Sequence, residues 1–592
     1  MLSSRTHFWR LRRRVGSLGG PLGQHDNPES TAVRNAQPAL PTTQQLRVSF
    51  ALANVAGPGK IVMKKTDTIY LVSNGDFRDS ACEVCWPMQD DTLKQVQKAF
   101  KKLGYKTELV TKYDPKKKHG FVTKQCDGAE IFSKIDPKAP VVIVLSCWAY
   151  AHHVCGPLQS HEGPKLLLGN FDGTWPGLVA LLNHAGTLDR LHVKHSRIWT
   201  DSFLKDEYFM KKLGEWCSKG DIKHSTKHLT DADEAKISAA ANKFGKELAE
   251  DIKTNRRIMG QLDPGCMGML NAVMDPAHLG KIGMPIEYLN QSDLVAEMKL
   301  VSDEEAQKHL NWLVKKGTWF DWGTDQYTDL VHGQVLEQMK IYSAAARLVE
   351  RFGLAAIGIP YQLGLVRCTA ATDLVEGMLN NMDRPAVKDP TTKNIVKKGK
   401  AIPHFNEGDM GSGVPQLLMH DIYDRKGMPT ETTLHDVRWG REFGDKYVWV
   451  FLISGGAPPA HYGGWKKTNV YRQPAMYFPK GGGTCSGVSK PGVITWARCY
   501  EQFGELGMDV GIGEVIEMPE AEVQDRLDRT TPVWPIANVH IPGYDRNELM
   551  ATHMSNHITM GYGDILEELI ATCRHLGIKT RVAGDIGKAL KK

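Results

Sequence analysis

The segment 404–438, HFNEGDMGSGVPQLLMHDIYDRKGMPTETTLHDVR, combines glycines and carboxylates in a pattern that organises the whole chain. Glu407 and Asp409 stand in N-E-G-D before a G-S-G run, and this glycine content predicts a tight turn between a strand and a helix. The apolar run 414–420 is typical of the first turns of a helix packed on a sheet. Asp436 lies in L-H-D-V-R, whose apolar flanks predict a strand or strand end. We therefore expect both acids, Glu407 and Asp436, at element ends that converge on a cavity.

Spacing alone leaves two interpretations of these acids open. In the first, Glu407 and Asp409 are helix N-caps and Asp436 is a solvated charge, which is the commoner use of such residues. In the second, the acids combine with an imidazole from the segment ATHMSNHITMGYGD, which contains His553 and His557. Two carboxylates and one imidazole form a hard, open site for a divalent ion such as manganese or magnesium.

Three segments resemble the metal-ligand motifs of the L-fucose isomerase family: EGDMGSGVPQLLMH, HDVR and SNH. Matched residue by residue, the resemblance implies that Glu407, Asp436 and His557 bind Mn²⁺ or another divalent cation, and that Glu407 and Asp436 are also catalytic. The segments SCWAY (146–150), GNFDGTWPG (169–177) and CMGMLNAVMD (266–275) extend the resemblance, in order and approximate spacing, from about residue 65 to about 590.

The resemblance implies an aldose–ketose isomerase that acts on a free monosaccharide such as L-fucose or D-arabinose through a cis-enediol proton transfer, without a nicotinamide cofactor. It also implies a homo-oligomer, a hexamer in the family. The alternatives are an isomerase of another aldose and a non-catalytic sugar-binding relative. A phosphate or nucleotide enzyme using the glycines of GGGTCSG (481–487) is a further alternative, although this run lacks the lysine of a P-loop.

Three further residues are expected to bind the substrate. The family uses the aromatic residue at the position of Trp148 against the sugar ring, from a neighbouring subunit, and a core tryptophan is the alternative. Gln362 follows a predicted buried strand, and Asn556 is expected to bond either the sugar or His557. Two departures from the family's pattern bear on which sugar is bound: His553 replaces a tryptophan, and NGDFRD around Arg78 stands near the place of an arginine-rich motif.

Composition excludes several classes of protein. The 592 residues are 41% hydrophobic and 24% charged, as in a soluble globular enzyme of several domains. The net charge of +7 is modest and no basic stripe is interleaved with aromatics, so we expect no nucleic-acid partner. No apolar run approaches the roughly 20 residues of a membrane span. Eleven scattered cysteines predict reduced thiols, and ordinary packing is favoured over a zinc or redox role for Cys82 and Cys85.

Residues 1–60 differ from the rest and are expected to be a disordered basic extension or a transit peptide. Five arginines precede residue 16, and no acid precedes Asp26, which is typical of organelle import signals. We expect a cytoplasmic protein, or a mitochondrial one if residues 1–45 act as a transit peptide. A start codon placed too far upstream is a third explanation.

The remaining sequence predicts an α/β protein with two doubly wound parallel-sheet domains, 61–230 and 231–425, followed by a β-rich domain, 426–592. Apolar runs such as VVIVLSCW after Pro140 are typical of strands buried on both faces, and they alternate with helical segments. In such sheets the ligand crevice opens at the carboxyl ends of the strands, which places Trp148 there. After about residue 440, strand-like runs separated by glycine and proline predict an antiparallel sheet or barrel, and the resemblance implies a β-barrel-like domain.

Overall fold

Five parallel strands with helices between them form the first sheet of the chain. The computed structural model describes residues 63–265, 267–362 and 364–591, so the predicted N-terminal extension lies outside the described residues. The elements of this part are β1 (Thr68–Ser73), α1 (Asp79–Lys102), β2 (Lys106–Leu109), α2 (Gln125–Phe132), β3 (Val141–Leu145), α3 (His152–Ser160), β4 (Lys165–Asn170), α4 (Gly177–Arg190), β5 (Ser196–Thr200) and α5 (Glu207–Lys219).

The strand order of this sheet is β2-β1-β3-β4-β5, which is a doubly wound order. All five residues of β3 are buried, as the apolar run of this strand predicts. The order reverses between β1 and β3, and ligand crevices open beyond the carboxyl ends of strands at such a point. Arg78 and Trp148, which follow β1 and β3, therefore stand at the mouth of the predicted crevice.

A second, smaller parallel sheet follows. Its part of the chain contains β6 (Leu229–Asp231), α6 (Ala239–Asn255), β7 (Met259–Leu262), α7 (Pro276–Lys281), β8 (Ile286–Leu289), α8 (Gln291–Met298), α9 (Asp303–Lys316), β9 (Trp319–Phe320), α10 (His332–Arg351), β10 (Ala356–Ile359), α11 (Asp373–Leu379), β11 (His404–Asn406) and α12 (Met410–Lys426). Strands β11-β10-β7-β8 form the sheet, and β6 instead joins the next one. The predicted strand–turn–helix around Glu407 is confirmed by β11 and α12.

The C-terminal part is a mixed sheet. Its elements are β12 (Thr432–Phe443), β13 (Lys446–Leu452), α13 (Pro459–Tyr462), β14 (Asn469–Val470), β15 (Gly492–Gln502), β16 (Glu505–Val515), α14 (Glu520–Arg529), β17 (Ile536–His540), α15 (Arg546–Thr552), β18 (His557–Tyr562), α16 (Leu566–Leu576), β19 (Lys579–Ala583) and α17 (Asp585–Lys591). The order is β15-β18-β12-β13-β17-β16-β19-β6, and β15 also pairs with β16. The β-barrel-like domain and the domain boundaries stay predictions.

Among the described residues, no helix combines the length and the apolar character needed to cross a bilayer.

One glycine allows the first and last parts of the chain to pack closely. Helix α4 is buried from Gly177 to Leu188, and a Cβ atom at Gly186 would lie 2.2 Å from the carbonyl oxygen of Met554. Met554 immediately precedes the S-N-H segment that leads into β18. Because Gly186 has no side chain, helix α4 can contact the backbone of the segment that leads to His557.

We expect Gly186→Ala to lower the free energy of unfolding by about 1–3 kcal/mol, because the added methyl group must displace packed backbone. Gly156→Ala in α3 is the matched control: no atom lies within 4 Å of its added Cβ, so it should stabilise the protein by about 0.5–1 kcal/mol. Urea denaturation of both variants measures the difference, and equal effects would show that the contact with Met554 is unimportant.

Candidate active site

Glu407 occupies the turn directly after β11, with a backbone φ of 56°. Left-handed angles are uncommon for residues with a side chain, and such strain concentrates at functional sites. The carboxylate is buried, and its Oε1 accepts hydrogen bonds from Gln362 Nε2 at 2.6 Å and Ser454 Oγ at 2.9 Å. Its Oε2 lies 3.8 Å from His557 Nε2. Two fixed donors on one oxygen thus leave the other facing the imidazole.

Asp436 and His557 face each other across neighbouring strands. They are direct partners in the antiparallel register of β12 and β18, which brings side chains on one face close together. Asp436 Oδ1 lies 3.3 Å from His557 Nε2. Asp436 lies inside β12, which confirms the predicted strand but not the expected position at an element end. A register shift between Val437 and Trp439 disrupts the ladder beside it. Such bulges re-aim side chains and are frequent near active sites.

Asp409 bonds His557 through the imidazole nitrogen that faces away from Glu407 and Asp436. Its Oδ2 lies 2.6 Å from His557 Nδ1, and its side chain caps α12 by accepting from the backbone N–H of Ser412. The fully buried Arg498 forms an ion pair with the same carboxylate. The N-cap interpretation is therefore right for Asp409. For Glu407 it is wrong, since the Glu407 side chain bonds Gln362 and Ser454.

Burial and pairing shift the pKa values of these groups in opposite directions. Burial raises the pKa of Glu407 to about 7, against the opposing effect of His557. Burial would also raise the pKa of Asp409, but Arg498 and His557 hold it at about 2. For His557, burial works to lower the pKa, and the contacts with Asp409 and Asp436 raise it to about 10. The imidazole is thus held firmly by carboxylates on both of its nitrogens.

The donor set around His557 Nε2 suits a hard divalent cation. Two carboxylates and an imidazole are ligands that manganese accepts, and a histidine ligand usually bonds a carboxylate through its other nitrogen, as His557 bonds Asp409. However, across residues 63–265, 267–362 and 364–591 no three or more His, Cys, Asp or Glu side chains are already spaced to hold a metal. Ligation by Glu407, Asp436 and His557 therefore rests on their chemistry and stays a proposal.

The acids open into a cavity of about 280 Å³, a size that suits a small molecule. All three sheets contribute to its walls, which are rich in aromatic side chains. Its lining residues include Arg78, Trp148, Trp175, Gln362, Glu407, Asp436, Arg438, Ser454, Tyr477, Phe478 and Trp534. The predicted convergence of the two acids on one cavity is thus observed.

Residues 463–583 match the family model described as L-fucose isomerase, C-terminal domain. This match supports the L-fucose isomerase family. The matched segment contains His557 but neither Glu407 nor Asp436, so it points to a sugar isomerase without testing the ligand set. A search of curated proteins found no match to the chain.

The three residues expected to bind a sugar lie in different places. Trp148 lines the same cavity as Glu407 and Asp436 within one chain. The expectation that a neighbouring subunit supplies this residue stays a prediction. Its indole N–H is buried, with no hydrogen-bond partner in the part of the chain that the structure describes. Gln362 also lines the cavity. Asn556 is buried and does not line the cavity. Its side-chain amide donates to Asp436 Oδ1 at 3.3 Å, so its contact orients Asp436.

The two departures from the L-fucose isomerase pattern also differ in position. His553 is fully buried, outside the cavity lining, and its Nε2 lies 3.0 Å from the carbonyl oxygen of His557. Its contact is with the backbone of the predicted ligand. Arg78 does line the cavity, where it forms an ion pair with Asp76 at 2.6 Å and lies 4.7 Å from the centre of the Tyr477 ring.

Five further lining residues were not expected from the sequence: Arg438, Ser454 and the aromatic wall formed by Tyr477, Phe478 and Trp534. Arg438 stands two residues after Asp436, and the period of two in a strand could have placed both side chains on one face. Ser454 and the aromatic residues follow no local pattern, because their position depends on how distant strands pair.

The glycine run does not form a free anion nest. The backbone N–H groups of Gly482 and Gly483 donate to the side-chain oxygens of Gln334 at 3.2 Å and Gln338 at 2.7 Å. These donors are therefore already used, which disfavours the phosphate-enzyme alternative. Cys82 and Cys85 are buried and pack with Phe121 and Cys147, as the ordinary-packing interpretation expects.

We expect Asp409→Asn to lower the free energy of unfolding by about 3–5 kcal/mol, because it leaves Arg498 buried without its counter-charge. The matched control is Asp424→Asn on the same helix, where an exposed ion pair with Lys400 should contribute no more than about 1 kcal/mol. Urea denaturation of the two variants makes the comparison. A loss for Asp409→Asn no larger than that of its control would mean that the buried pair does not stabilise the fold.

Proposed function

We propose that this protein is a metal-dependent aldose–ketose isomerase that acts on a free monosaccharide such as L-fucose or D-arabinose. The observation that carries the proposal is the convergence of Glu407, Asp436 and His557 at one end of a cavity of small-molecule size. The family match at residues 463–583 supports the reaction class. An isomerase of another aldose and a non-catalytic sugar-binding relative are the alternatives.

The proposed reaction moves a proton between C1 and C2 of the sugar while the carbonyl group changes place. Glu407, Asp436 and His557 would hold one divalent cation, Mn²⁺ by resemblance, which when bound polarises the carbonyl as a Lewis acid. One of the two carboxylates removes the proton from C2 of the aldose and returns it to C1. The O2 hydroxyl proton passes to O1, so that the atoms of aldose and ketose balance.

The surrounding residues keep the two carboxylates in place. Gln362 and Ser454 both bond Glu407 Oε1, and Asn556 bonds Asp436 Oδ1, so neither acid is free to rotate. Fixed geometry of this kind lowers the barrier because the reacting groups need no reorganisation. The indole and phenyl rings of Trp148, Trp175 and Phe478 line the same space and make this part of its wall apolar.

The other expectations from the resemblance remain proposals. A homo-oligomer, with the hexamer as its expected size, would be measured by sedimentation equilibrium. Because Trp148 and Glu407 line one cavity within a single chain, an oligomer is not needed to bring these two residues together. The β-barrel-like closure of the C-terminal part and the cytoplasmic or mitochondrial location are likewise proposed on the sequence alone.

A panel of aldoses incubated with the protein and Mn²⁺ in deuterated water, followed by NMR, tests the function. We expect one or more aldoses to form ketose, and deuterium at C1 or C2 would support proton transfer. Glu407→Gln should lower kcat by about 10³-fold or more, because it removes both a base and a proposed ligand. Glu442→Gln, at the exposed end of β12, is the matched control and should leave the rate unchanged.

Two outcomes would contradict this proposal. If several sugars bind but none is converted, the non-catalytic alternative is correct. If Glu407→Gln keeps wild-type activity in the presence of EDTA, neither the metal nor the assigned carboxylate takes part in the reaction.

A further inference from the structure

Arg438 is a buried cation in the cavity wall and has no role in the reaction proposed above for Glu407, Asp436 and His557. It follows Asp436 by two residues on β12, is 3% exposed and lines the same cavity. Its Nη1 donates to the carbonyl oxygen of Trp175 at 2.9 Å, and its Nη2 to that of Thr174 at 3.3 Å. Both contacts are to neutral backbone groups of the loop before α4.

The cavity's other arginine is compensated in a way that Arg438 is not. Arg78 forms an ion pair with Asp76, whereas within the described ranges no carboxylate lies within 4.0 Å of the Arg438 guanidinium. Asp436 and Asp172 act on Arg438 only over longer distances. Removing a guanidinium from water without a counter-charge is costly, so its retention in this wall calls for an explanation.

A guanidinium carries five N–H donors in a fixed plane, and the two backbone carbonyls use only two of them. The remaining donors are available to an oxygen of a bound molecule. Isomerisation through an enediolate places negative charge on the oxygens of the sugar at C1 and C2. A cation held in a wall with little water stabilises such charge strongly and needs no reorganisation when it develops.

We propose that Arg438 binds the sugar oxygens and stabilises the negative charge that develops on them during proton transfer. This inference rests on the proposed isomerase function and adds a residue to it. The competing role is a purely structural one, in which Arg438 only ties the Thr174–Trp175 loop to β12. The two roles differ in which ligands they affect: a loop tie supports neutral and anionic ligands alike, whereas a charge-stabilising group favours the anion.

Two ligands separate these roles in the Mn²⁺-loaded protein. An alditol such as L-fucitol is neutral and resembles the sugar, while the matching aldonohydroxamate is planar and resembles the enediolate. Isothermal titration calorimetry measures both. We expect Arg438→Gln to lower the affinity for the hydroxamate by about 10- to 100-fold, the range for hydrogen bonds to charged groups. The affinity for the alditol should fall by no more than about 3-fold. Its kcat should fall by about 10²-fold with a smaller change in KM.

Arg441→Gln is the matched control, because Arg441 lies on the same strand but pairs with Glu522 outside the cavity. It should change neither affinity. Arg438→Lys keeps the charge and most of the side-chain volume, so it keeps the test valid if Arg438→Gln does not fold. Because lysine lacks the planar set of donors of a guanidinium, this variant should lower the affinity for the hydroxamate about 10-fold while the alditol still binds.

The other possible results also distinguish the charge-stabilising role of Arg438 from the structural one. Equal losses for alditol and hydroxamate would show that Arg438 is a loop tie and overturn the inference, as would unchanged hydroxamate binding in both Arg438 variants. If the wild-type protein binds neither ligand, the proposed function itself fails, independently of Arg438.

Discussion

The candidate site depends on the register between β12 and β18. In that register Asp436 stands directly opposite His557, and the hydrogen-bonded ladder, not a flexible loop, sets the distance between carboxylate and imidazole. A slip of one residue in either strand would turn the side chain of that strand to the other face of the sheet and separate the pair. Two neighbouring residues meet this pair: Asn556, which immediately precedes β18, donates to Asp436 on β12, and Arg438, at the irregularity of β12 beside Asp436, lines the same cavity.

A second constraint joins this strand pair to the parallel part of the molecule. Asp409 caps helix α12, bonds His557 Nδ1 and pairs with the buried Arg498 of β15. One carboxylate thereby connects the start of α12, the strand that carries His557 and a neighbouring strand of the mixed sheet. Because Glu407 stands two residues before Asp409, fixing the helix start also fixes the turn that presents Glu407. The strained φ of Glu407 is tolerated because its surroundings hold both of its ends.

Much of this arrangement could be predicted where the signal is local. The apolar run of β3 predicts a strand buried on both faces, and the glycine-rich turn before α12 predicts the strand-to-helix connection that carries Glu407. The doubly wound order places Arg78 and Trp148 at a crevice. The resemblance named Glu407, Asp436 and His557 together, and the structure places the two carboxylates 3.8 Å and 3.3 Å from the same nitrogen of the His557 imidazole.

Other features depend on tertiary packing and could not be predicted. The bulge beside Asp436 depends on how β12 pairs with β13, so the apolar residues around Asp436 predicted a strand or strand end but not this irregularity. Asn556 orients Asp436 because Met269 and the β12 strand surround it, although its place beside His557 in the sequence pointed to the sugar or the imidazole. Ser454 reaches Glu407 from the end of β13, a contact between segments with no shared pattern.

The central claim is that Glu407, Asp436 and His557 hold one divalent cation between them. Diffraction data collected at the manganese absorption edge, from crystals grown with Mn²⁺, measure this directly. We expect a single anomalous peak per chain, within about 2.0–2.3 Å of Glu407 Oε2, an Asp436 carboxylate oxygen and His557 Nε2, as for hard divalent ions of this size. A cavity without such a peak in Mn²⁺-soaked crystals, or a peak bound by other residues, would contradict it.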